Sequence, residues 1–259
     1  MKYFLSLGLT THAANAEYLL EFINYYSMIG IEHFYINVNN TGTDVEDLLS
    51  GFDNVSIERH EVDQIESNRI LAKRAMNESQ WLLVCDDDEY AVPYRDKNLK
   101  DFVKRVAPGY VDEIVLSGYN FGNSEYQTKT EDSVINRFRF RSVHSTNTKS
   151  IFRPCSILPT EDNNHSWHVA GDIVDETGAV LDKNFRTKYE FCYDFTCNDC
   201  WINHYLVKST EECKKRYQSK FDYDSKETFE KFMQANNEND IYDNRILTLI
   251  ERIQRDNKN

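Results

Sequence analysis

The first ninety residues alternate between short apolar runs and longer segments whose apolar residues recur every three or four positions. Short apolar runs are typical of buried strands, and the longer repeat is typical of amphipathic helices. The strands predicted in this way are residues 3–9, 32–38, 55–59 and 81–85. The helices predicted between them are residues 14–29, a short helix ending at Leu49, and residues 67–77. This alternation predicts a Rossmann-like α/β fold with a mostly parallel sheet flanked by helices.

The pattern is less regular beyond residue 90. Residues 97–106 are predicted to be helical, and residues 161–176 carry no periodicity and are predicted to be a loop. Further strands are predicted at residues 113–117, 133–141 and 150–153. Three helical segments are predicted at residues 210–220, 225–235 and 241–254. We therefore predict one α/β domain over residues 1–209 and a helical C-terminal extension, residues 210–259, packed on the same domain.

Composition limits the classes of partner. The chain has 259 residues, of which 40% are hydrophobic, which is enough for one sizeable core. Its formal net charge of −13 argues against nucleic acid as a partner, because phosphate binding needs a basic face. The apolar run at residues 3–9 is too short to span a membrane and lacks the features of a signal peptide. We expect a cytoplasmic protein with reduced cysteines, and leave open peripheral membrane association and the oligomeric state.

The most informative segment is an apolar run, residues 81–85, that ends in Asp86, Asp87, Asp88 and Glu89. Four adjacent carboxylates repel one another, so the pKa of at least one should rise unless a cation lies among them. Open α/β sheets bind ligands outside the carboxyl ends of their strands, and hard divalent cations prefer several oxygen ligands. The segment therefore predicts a metal-diphosphate site, with a solvated acidic turn as the alternative.

Four segments, taken in order, carry a resemblance to known proteins. They are residues 18–36; Trp81 with Asp86-Asp87-Asp88-Glu89-Tyr90; Phe121-Gly122-Asn123-Ser124 with Lys149-Ser150-Ile151-Phe152-Arg153-Pro154; and Asn203-His204-Tyr205-Leu206-Val207-Lys208-Ser209. Together they resemble glycosyltransferases of the family 2 and family 92 type, which have a GT-A fold. The resemblance implies transfer of a sugar from a nucleotide-sugar donor, with a UDP-sugar expected. It also implies Mn²⁺ or Mg²⁺ on the diphosphate and a glycan or lipid-linked acceptor.

The resemblance also implies roles for individual residues around the donor. Asp86 would lie near the ribose or sugar and, with Asp88, would bind the metal. His204 and His168 are rival histidine ligands for the metal. Three further residues are predicted to contact the donor, and they are Asp44, Arg69 and Lys208.

The catalytic base is expected to be a carboxylate, because an inverting transferase removes the proton of the acceptor hydroxyl as the new bond forms. Asp162 and Glu125 are the main candidates, and Glu161, Asp172 and Asp175 are alternatives. The acceptor is expected to enter on the side built by residues 119–175. A few aromatic residues could stack on the sugar rings of the acceptor, with a position in the core as the alternative for each, and the candidates are Tyr119, Tyr126, Trp167 and Trp201.

Other interpretations remain open. The family often has an Asn-Glu pair before the first helix and an acid after the second strand, whereas this chain has Ala13-Ala14-Asn15 and Asn37-Val38-Asn39-Asn40. The donor nucleotide is therefore open.

Two functions are alternatives to a glycosyltransferase. One is an inactive sugar- or nucleotide-binding protein of the same fold, and the other is a metal-dependent nucleotidyl or phosphoryl transferase. Cys192, Cys197, Cys200 and His204 have a spacing that would also allow a zinc site.

Overall fold

The computed structural model describes residues 1–11, 17–39, 45–158, 165, 167–182, 197–221 and 226–258. Within these residues, nine strands form one mixed sheet. The strands of its parallel half are β1 (Tyr3–Thr11), β2 (His33–Val38), β3 (Val55–Arg59) and β4 (Ser79–Asp86). The strands of its second half are β5 (Glu89–Val92), β6 (Val111–Asn120), β8 (Thr146–Phe152), β9 (Asp172–Val174) and β10 (Trp201–His204). The fold is α/β, as predicted.

The strand order is β3-β2-β1-β4-β8-β6-β10-β5, with β9 beside β6. The pairs from β3 to β4 are parallel, whereas β8 is antiparallel to both of its neighbours and β5 is antiparallel to β10. Two short strands, β7 (Phe140–Arg141) and β11 (Ile241–Tyr242), form a separate antiparallel pair. The sheet is therefore parallel where strands alternate with helices and mixed where the sequence pattern becomes irregular.

Helices cover the sheet and complete the core. The helices are α1 (Leu19–Met28), α2 (Val45–Leu49), α3 (Gln64–Ala75), α4 (Leu99–Val106), α5 (Val134–Arg137), α6 (Thr210–Phe221), α7 (Lys226–Asn236) and α8 (Arg245–Asp256). In the C-terminal segment, α8 buries Ile246, Leu249 and Ile253 in the main hydrophobic core. No helix in the described residues combines the length and the apolar character needed to cross a membrane.

Two predicted elements beyond residue 90 were wrong. Residues 133–141 were expected to form a strand, but they form α5 followed by the short strand β7. The carboxylate of Glu21 accepts hydrogen bonds from the backbone amides of Val134 (2.9 Å) and Ile135 (3.1 Å), which satisfies the free N–H groups of this short helix. The expected loop over residues 161–176 contains β9, which gains its hydrogen bonds by pairing with β6. Both differences arise from contacts between residues distant in sequence.

An aromatic cluster beneath the acidic segment fixes the start of β5. The Tyr26 hydroxyl on α1 donates to the carbonyl of Glu89 and accepts from the amide of Ala91, both at 2.9 Å. The neighbouring Tyr25 hydroxyl donates to the Ala91 carbonyl at 2.6 Å. These bonds are fully buried, where hydrogen bonds are costly to leave unmade. The helix α1 therefore holds the turn between β4 and β5 in place.

The segment Phe121-Gly122-Asn123-Ser124 is held by the chain that follows α7. The amides of Asn123 and Ser124 donate to the side-chain oxygens of Asn237 (2.7 Å) and Asn239 (2.8 Å). A Cβ atom at Gly122 would lie 2.5 Å from the backbone carbonyl oxygen of Glu238. The glycine is required here because two stretches of backbone meet closely.

We expect Gly122→Ala to lower the free energy of unfolding by roughly 1–3 kcal/mol, the usual cost of forcing an extra methyl group into a packed site. Gly51→Ala is the matched control, because nothing lies within 4 Å of the Cβ atom that it would add. Urea unfolding of the two variants and the wild type measures the difference. Equal stability of both variants would show that the close approach at Gly122 can relax without cost.

Candidate active site at the end of strand β4

The acidic turn lies where the connections of the parallel strands change direction. The chain leaves β1 towards β2 and β3 on one side and returns to β4 on the other. Thr10 of β1 lies in register with Asp86 of β4, so the carboxyl ends of these two strands are adjacent. Ligands of open α/β sheets bind at such a switch point. The topology thus puts Asp86, Asp87 and Asp88 where a ligand crevice is expected.

Basic side chains from three distant elements face the four acids. The Lys149 ammonium on β8 lies 3.1 Å from Asp86 and 2.9 Å from Glu89. Arg216 on α6 donates a hydrogen bond to Asp88. The ring nitrogen Nε2 of His204, at the end of β10, lies 3.5 Å from Oδ1 of Asp88. The acidic turn is therefore largely neutralised by cations of the chain itself.

Polar side chains from β1 and α3 complete the surroundings of the turn. The Thr11 hydroxyl donates to Oδ2 of Asp87 at 3.1 Å, and Gln64 at the start of α3 donates to Oδ1 of Asp86 at 2.8 Å. Asp63 caps α3 by accepting from the amide of Glu66 at 2.9 Å. The capped start of α3 thus lies beside the acidic turn.

The titration behaviour divides the four acids into two pairs. Burial, reinforced by Asp88, raises the pKa of Asp87 to about 7. Burial also raises the pKa of Glu89, although Lys149 opposes it. Burial tends to raise the pKa of Asp86, but the positive charge of Lys149 outweighs burial and lowers it. For Asp88 the charges of Arg216 and His204 outweigh burial and hold the pKa well below its ordinary value. The raised pKa values of Asp87 and Glu89 arise first from burial rather than from the repulsion considered from the sequence, because cations of the chain lie among the four acids.

His204 and Lys208 both lie at this site. Burial lowers the pKa of His204, but Asp88 and Glu89 more than offset it, so the pKa is raised. Lys208 is only 4% exposed and has a left-handed backbone with φ of 56°. Its ammonium lies 4.8 Å from the centre of the Tyr18 ring. Burial lowers the pKa of Lys208, with Asp88 opposing the shift. A strained, buried cation of this kind is typical of a functional site.

A small cavity lies between α6 and the segment that ends at Lys208. Its lining includes Tyr18, Lys208, Lys215 and Arg216, and its volume of about 30 Å³ is sufficient for one water molecule or a small ion. Three of these residues are basic, and the two acids that also line the cavity, Glu17 and Glu212, are paired with Lys129 and Arg137. The cavity therefore extends the basic side of the site towards α1.

The other predicted site residues are distributed differently. Arg69 lies on the outer part of α3 and forms an ion pair with Glu66 at 3.6 Å. Glu125 is exposed on the loop after β6, with φ of 68°, and its amide donates to the Asn123 side chain at 3.0 Å. The structure thus brings Asp86, Asp88, His204 and Lys208 together but leaves Arg69 and Glu125 at the periphery. Asp44 and Asp162 lie outside the described residues.

The segment that contains His168 also contains His165, and His165 is the one that lies at the site. Nδ1 of His165 donates a hydrogen bond to the Thr148 carbonyl (3.0 Å), next to Lys149. Burial and Lys149 lower the pKa of His165, and Asp86 acts in the opposite direction. His168 lies further along, where its carbonyl accepts from the amide of Leu158 at 2.7 Å. His165 is therefore the histidine of this segment that lies beside the acidic turn.

Sequence reasoning missed Arg216 and gave Glu212 only a role in capping the start of α6, where it does exchange hydrogen bonds with Ser209. The two residues are four apart on α6, and side chains at this spacing share one face of a helix. Glu212 pairs with Arg137 of α5 through two hydrogen bonds of 2.7 and 2.9 Å. One face of α6 therefore contacts both the acidic turn and α5. An acid and an arginine four residues apart on a polar helix are the sequence signal that could have indicated this shared face.

The cysteines do not form a zinc site in the described residues. Cys197 and Cys200 are buried, and burial raises the pKa of both thiols. The turn that contains them is fixed by Glu176, whose carboxylate accepts from the amides of residues 198, 199 and 200. His204 instead faces Asp88, and Cys192 lies outside the described residues. In the described part of this motif, Cys197 and Cys200 therefore belong to a packed turn that leads into β10.

The described side chains include no cluster of three or more histidines, cysteines or acids arranged to hold a metal ion. The donor set nevertheless fits a divalent cation chemically. Oδ1 of Asp88 is buried without a hydrogen bond, and the 3.5 Å gap to the His204 ring exceeds an ordinary hydrogen bond. Carboxylates and imidazole are ligands that Mn²⁺ accepts, and an unsatisfied buried carboxylate oxygen is rare.

Three curated plant proteins, each named as a glycosyltransferase family 92 protein, are similar to this chain. The Arabidopsis thaliana protein is 28% identical over 155 residues, which is 54% of this chain and 27% of that protein. Those of Ricinus communis and Oryza sativa are each 26% identical, over 59% and 60% of this chain and 29% and 28% of their own lengths. The chain thus spans less than a third of the length of these relatives. No family model matches the chain.

Solved structures show only weak similarity. A 4-diphosphocytidyl-2C-methyl-D-erythritol synthase aligns with a TM-score of 0.37 at 10% identity, covering 61% of this chain and 78% of that one. HddC from Yersinia pseudotuberculosis aligns with a TM-score of 0.40 at 10% identity, covering 66% of this chain and 90% of that one. Scores of this size do not bear on function. The sequence matches confirm the predicted resemblance: over somewhat more than half its length, this chain is similar to the family 92 glycosyltransferases.

Proposed function

We propose that this chain is a metal-dependent glycosyltransferase that moves a sugar from a nucleotide-sugar donor to a glycan or lipid-linked acceptor, with inversion at the anomeric carbon. The observation that carries the proposal is the arrangement at the end of β4. There, the acidic turn Asp86–Asp88 lies at the switch point of the sheet, against His204 and the basic residues Lys208 and Arg216. The sequence similarity to family 92 glycosyltransferases supports the same reaction class.

The leaving group in such a transfer is a nucleoside diphosphate, whose negative charge must be stabilised as the glycosidic bond breaks. Asp86, Asp88 and His204 are the residues that would hold Mn²⁺ or Mg²⁺, and a bound ion acts as a Lewis acid on the phosphate oxygens. Lys208 and Arg216 line the adjacent cavity and would supply charge-assisted hydrogen bonds to the diphosphate. Lys149 orients Asp86 through its 3.1 Å contact.

The acceptor would approach from the side of the loop after β6. Glu125 is exposed on that loop, so a carboxylate is available there to take a proton from an incoming hydroxyl. Asp162 stays the second candidate for the base. The donor is proposed to be a UDP-sugar, as the resemblance implies.

The proposal is tested by thermal unfolding of the wild type and Lys208→Met with UDP-, GDP-, CMP- and dTDP-sugars, each with and without Mn²⁺. A ligand that binds only the folded state raises the unfolding midpoint. We expect one donor class to raise the midpoint of the wild type when Mn²⁺ is present. Because Lys208 is a buried cation facing the site, its replacement should weaken donor binding about tenfold or more.

Lys97→Met is the matched control, since Lys97 is an exposed lysine before α4, and it should bind the donor as the wild type does. Detection of the transferred sugar by mass spectrometry then distinguishes turnover from binding alone. The proposal fails if no donor changes the midpoint of the wild type in the presence of Mn²⁺.

A further inference from the structure

A second depression, separate from the acidic turn, lies beside the two short strands β7 and β11. Its volume is about 580 Å³, within the range of small-molecule binding sites. The loop after β6 forms one wall, α5 forms a second, and the paired strands form a third. Its lining includes Ser124, Asn136, Arg137, Arg139, Phe140 and Tyr242.

The wall formed by the strands is aromatic. Phe140 and Tyr242 are direct partners in the β7–β11 pair, and their ring centres lie 5.4 Å apart at an angle of 69°. Tyr242 is 53% exposed although it is a large aromatic residue on a hydrogen-bonded strand. An aromatic ring held rigidly at a surface offers an apolar face at little entropic cost. This wall suits a flat ligand that carries C–H groups on one side.

The opposite walls offer hydrogen-bonding groups fixed by the backbone. The Ser124 hydroxyl oxygen accepts from the amides of Arg139 (2.8 Å) and Phe140 (3.1 Å), so its own hydrogen is available to an acceptor. Nε of Arg139 donates to the carbonyl of Asn136 at 2.8 Å, which orients the guanidinium at the rim. Asn136 is exposed, and its amide can both donate and accept. Such a mixture of donors and acceptors matches a ligand with several hydroxyl groups.

Arg137 borders the depression, and its charge is already paired with an acid. Arg137 is almost fully buried, and two of its nitrogens donate to Glu212, but its Nε has no hydrogen-bond partner. Buried donors without partners are rare, because each loses its hydration without compensation. That nitrogen is itself buried, so a ligand in the depression meets an arginine already neutralised by Glu212, which does not favour an anion there.

The depression is connected to the acidic turn through a short chain of contacts. Glu212, which holds Arg137, also accepts a hydrogen bond from the Tyr18 hydroxyl. The ring of Tyr18 in turn lies beneath the ammonium of Lys208. Four contacting side chains, those of Arg137, Glu212, Tyr18 and Lys208, thus connect the two sites. Both sites border one face of α6, which contacts α5 through Glu212 and the acidic turn through Arg216.

From these features we infer that the depression binds a neutral oligosaccharide, namely the sugars of the acceptor that lie away from the reacting hydroxyl. Sugar rings combine an apolar face with a rim of hydroxyl groups, and the net charge of −13 disfavours an acidic ligand. This inference rests on the proposed function for the identity of the ligand as an acceptor. The binding of carbohydrate at this place can be measured without any transfer reaction.

The test uses isothermal titration of the full chain with unbranched pentasaccharides of glucose, mannose, galactose and N-acetylglucosamine. We expect one of them to bind the wild type, and Tyr242→Ala to weaken that binding at least tenfold. Tyr242→Phe, which keeps the ring, should bind within about threefold of the wild type. Tyr110→Ala is the matched control, because Tyr110 is also an exposed tyrosine, 62% exposed at the start of β6.

The outcomes separate this inference from the proposed function. If Tyr242→Ala loses the oligosaccharide but keeps the Mn²⁺-dependent donor shift, both stand. If the oligosaccharide binds through Tyr242 and no nucleotide-sugar binds, the carbohydrate site stands and the transferase proposal fails. If no pentasaccharide binds the wild type, or if Tyr242→Ala binds as well as Tyr110→Ala does, the inference is overturned.

Discussion

Replacing Asp88 with asparagine is expected to abolish the Mn²⁺-dependent donor shift and to lower the rate of sugar transfer by about 100-fold or more. The substitution keeps the shape of the side chain but removes a negative charge that is 1% exposed and faces both His204 and Arg216. A carboxylate is a far stronger ligand for a hard cation than an amide. The loss of a few kcal/mol of charge stabilisation in the transition state corresponds to this change in rate.

Asp88→Asn will also affect folding, and the experiment must separate the two effects. Arg216 loses its charged partner, which should lower the free energy of unfolding by roughly 1–3 kcal/mol. Asp53→Asn is the matched control, because Asp53 is an exposed aspartate in the turn before β3. Circular dichroism and urea unfolding identify conditions where all three proteins are folded, and donor binding is compared there. Retention of the metal-dependent shift by Asp88→Asn would remove the acidic turn from the site.

Breaking the ion pair between Arg137 and Glu212 is expected to have the largest effect on stability. The two side chains are 1% and 7% exposed, and Glu212 also binds the hydroxyls of Ser209 and Tyr18. Removing one partner of a buried pair leaves the other charge uncompensated, which typically costs 3–5 kcal/mol. We therefore expect Glu212→Gln to lower the free energy of unfolding at pH 7 by about 3 kcal/mol, measured by urea denaturation.

The same pair predicts a dependence on pH with a definite sign. Burial tends to raise the pKa of Glu212, but hydrogen bonds from Arg137, Ser209 and Tyr18 prevail and lower it from 4.5 to about 2. Because the folded-state pKa is depressed, the stabilisation is complete above the unfolded pKa and is lost as the pH falls from 4.5 towards 2. The difference in stability between the wild type and Glu212→Gln should therefore shrink as the pH falls through this range.

Two further variants make this prediction specific. Glu46→Gln breaks an ion pair with Arg59 whose side chains are 46% and 44% exposed, and it should cost no more than about 1 kcal/mol. Combining Arg137→Met with Glu212→Gln should cost less than the sum of the single changes, because the double variant leaves no buried charge unpaired. Additive losses would show that the two residues do not stabilise the fold as a pair.

The parallel half of the sheet follows from the sequence because its signals are local. Short apolar runs separated by amphipathic helices determined β1 to β4 to within a few residues, and Gly30 ends α1 with a φ of 103°, as a glycine after a helix should. The position of the acidic turn also follows, because an apolar strand that ends in charge has a defined end. The second half was predicted less well, since β8 and β9 depend on pairing with β6 rather than on a local repeat.

The residues of the candidate site also fall into two groups, those that the sequence identified and those that only the structure identified. The sequence by itself identified Asp86, Asp88, His204 and Lys208 as candidates, because an acidic run and a short conspicuous motif can be seen without a fold. Only the tertiary structure brought Lys149 and Arg216 against the acids, and only it distinguished His165 from its neighbour His168. These partners lie between 60 and 130 residues from the acidic turn, and the direction of a side chain depends on how its strand or helix packs. Charge within a segment is a local property, whereas the compensation of that charge is decided by which elements meet.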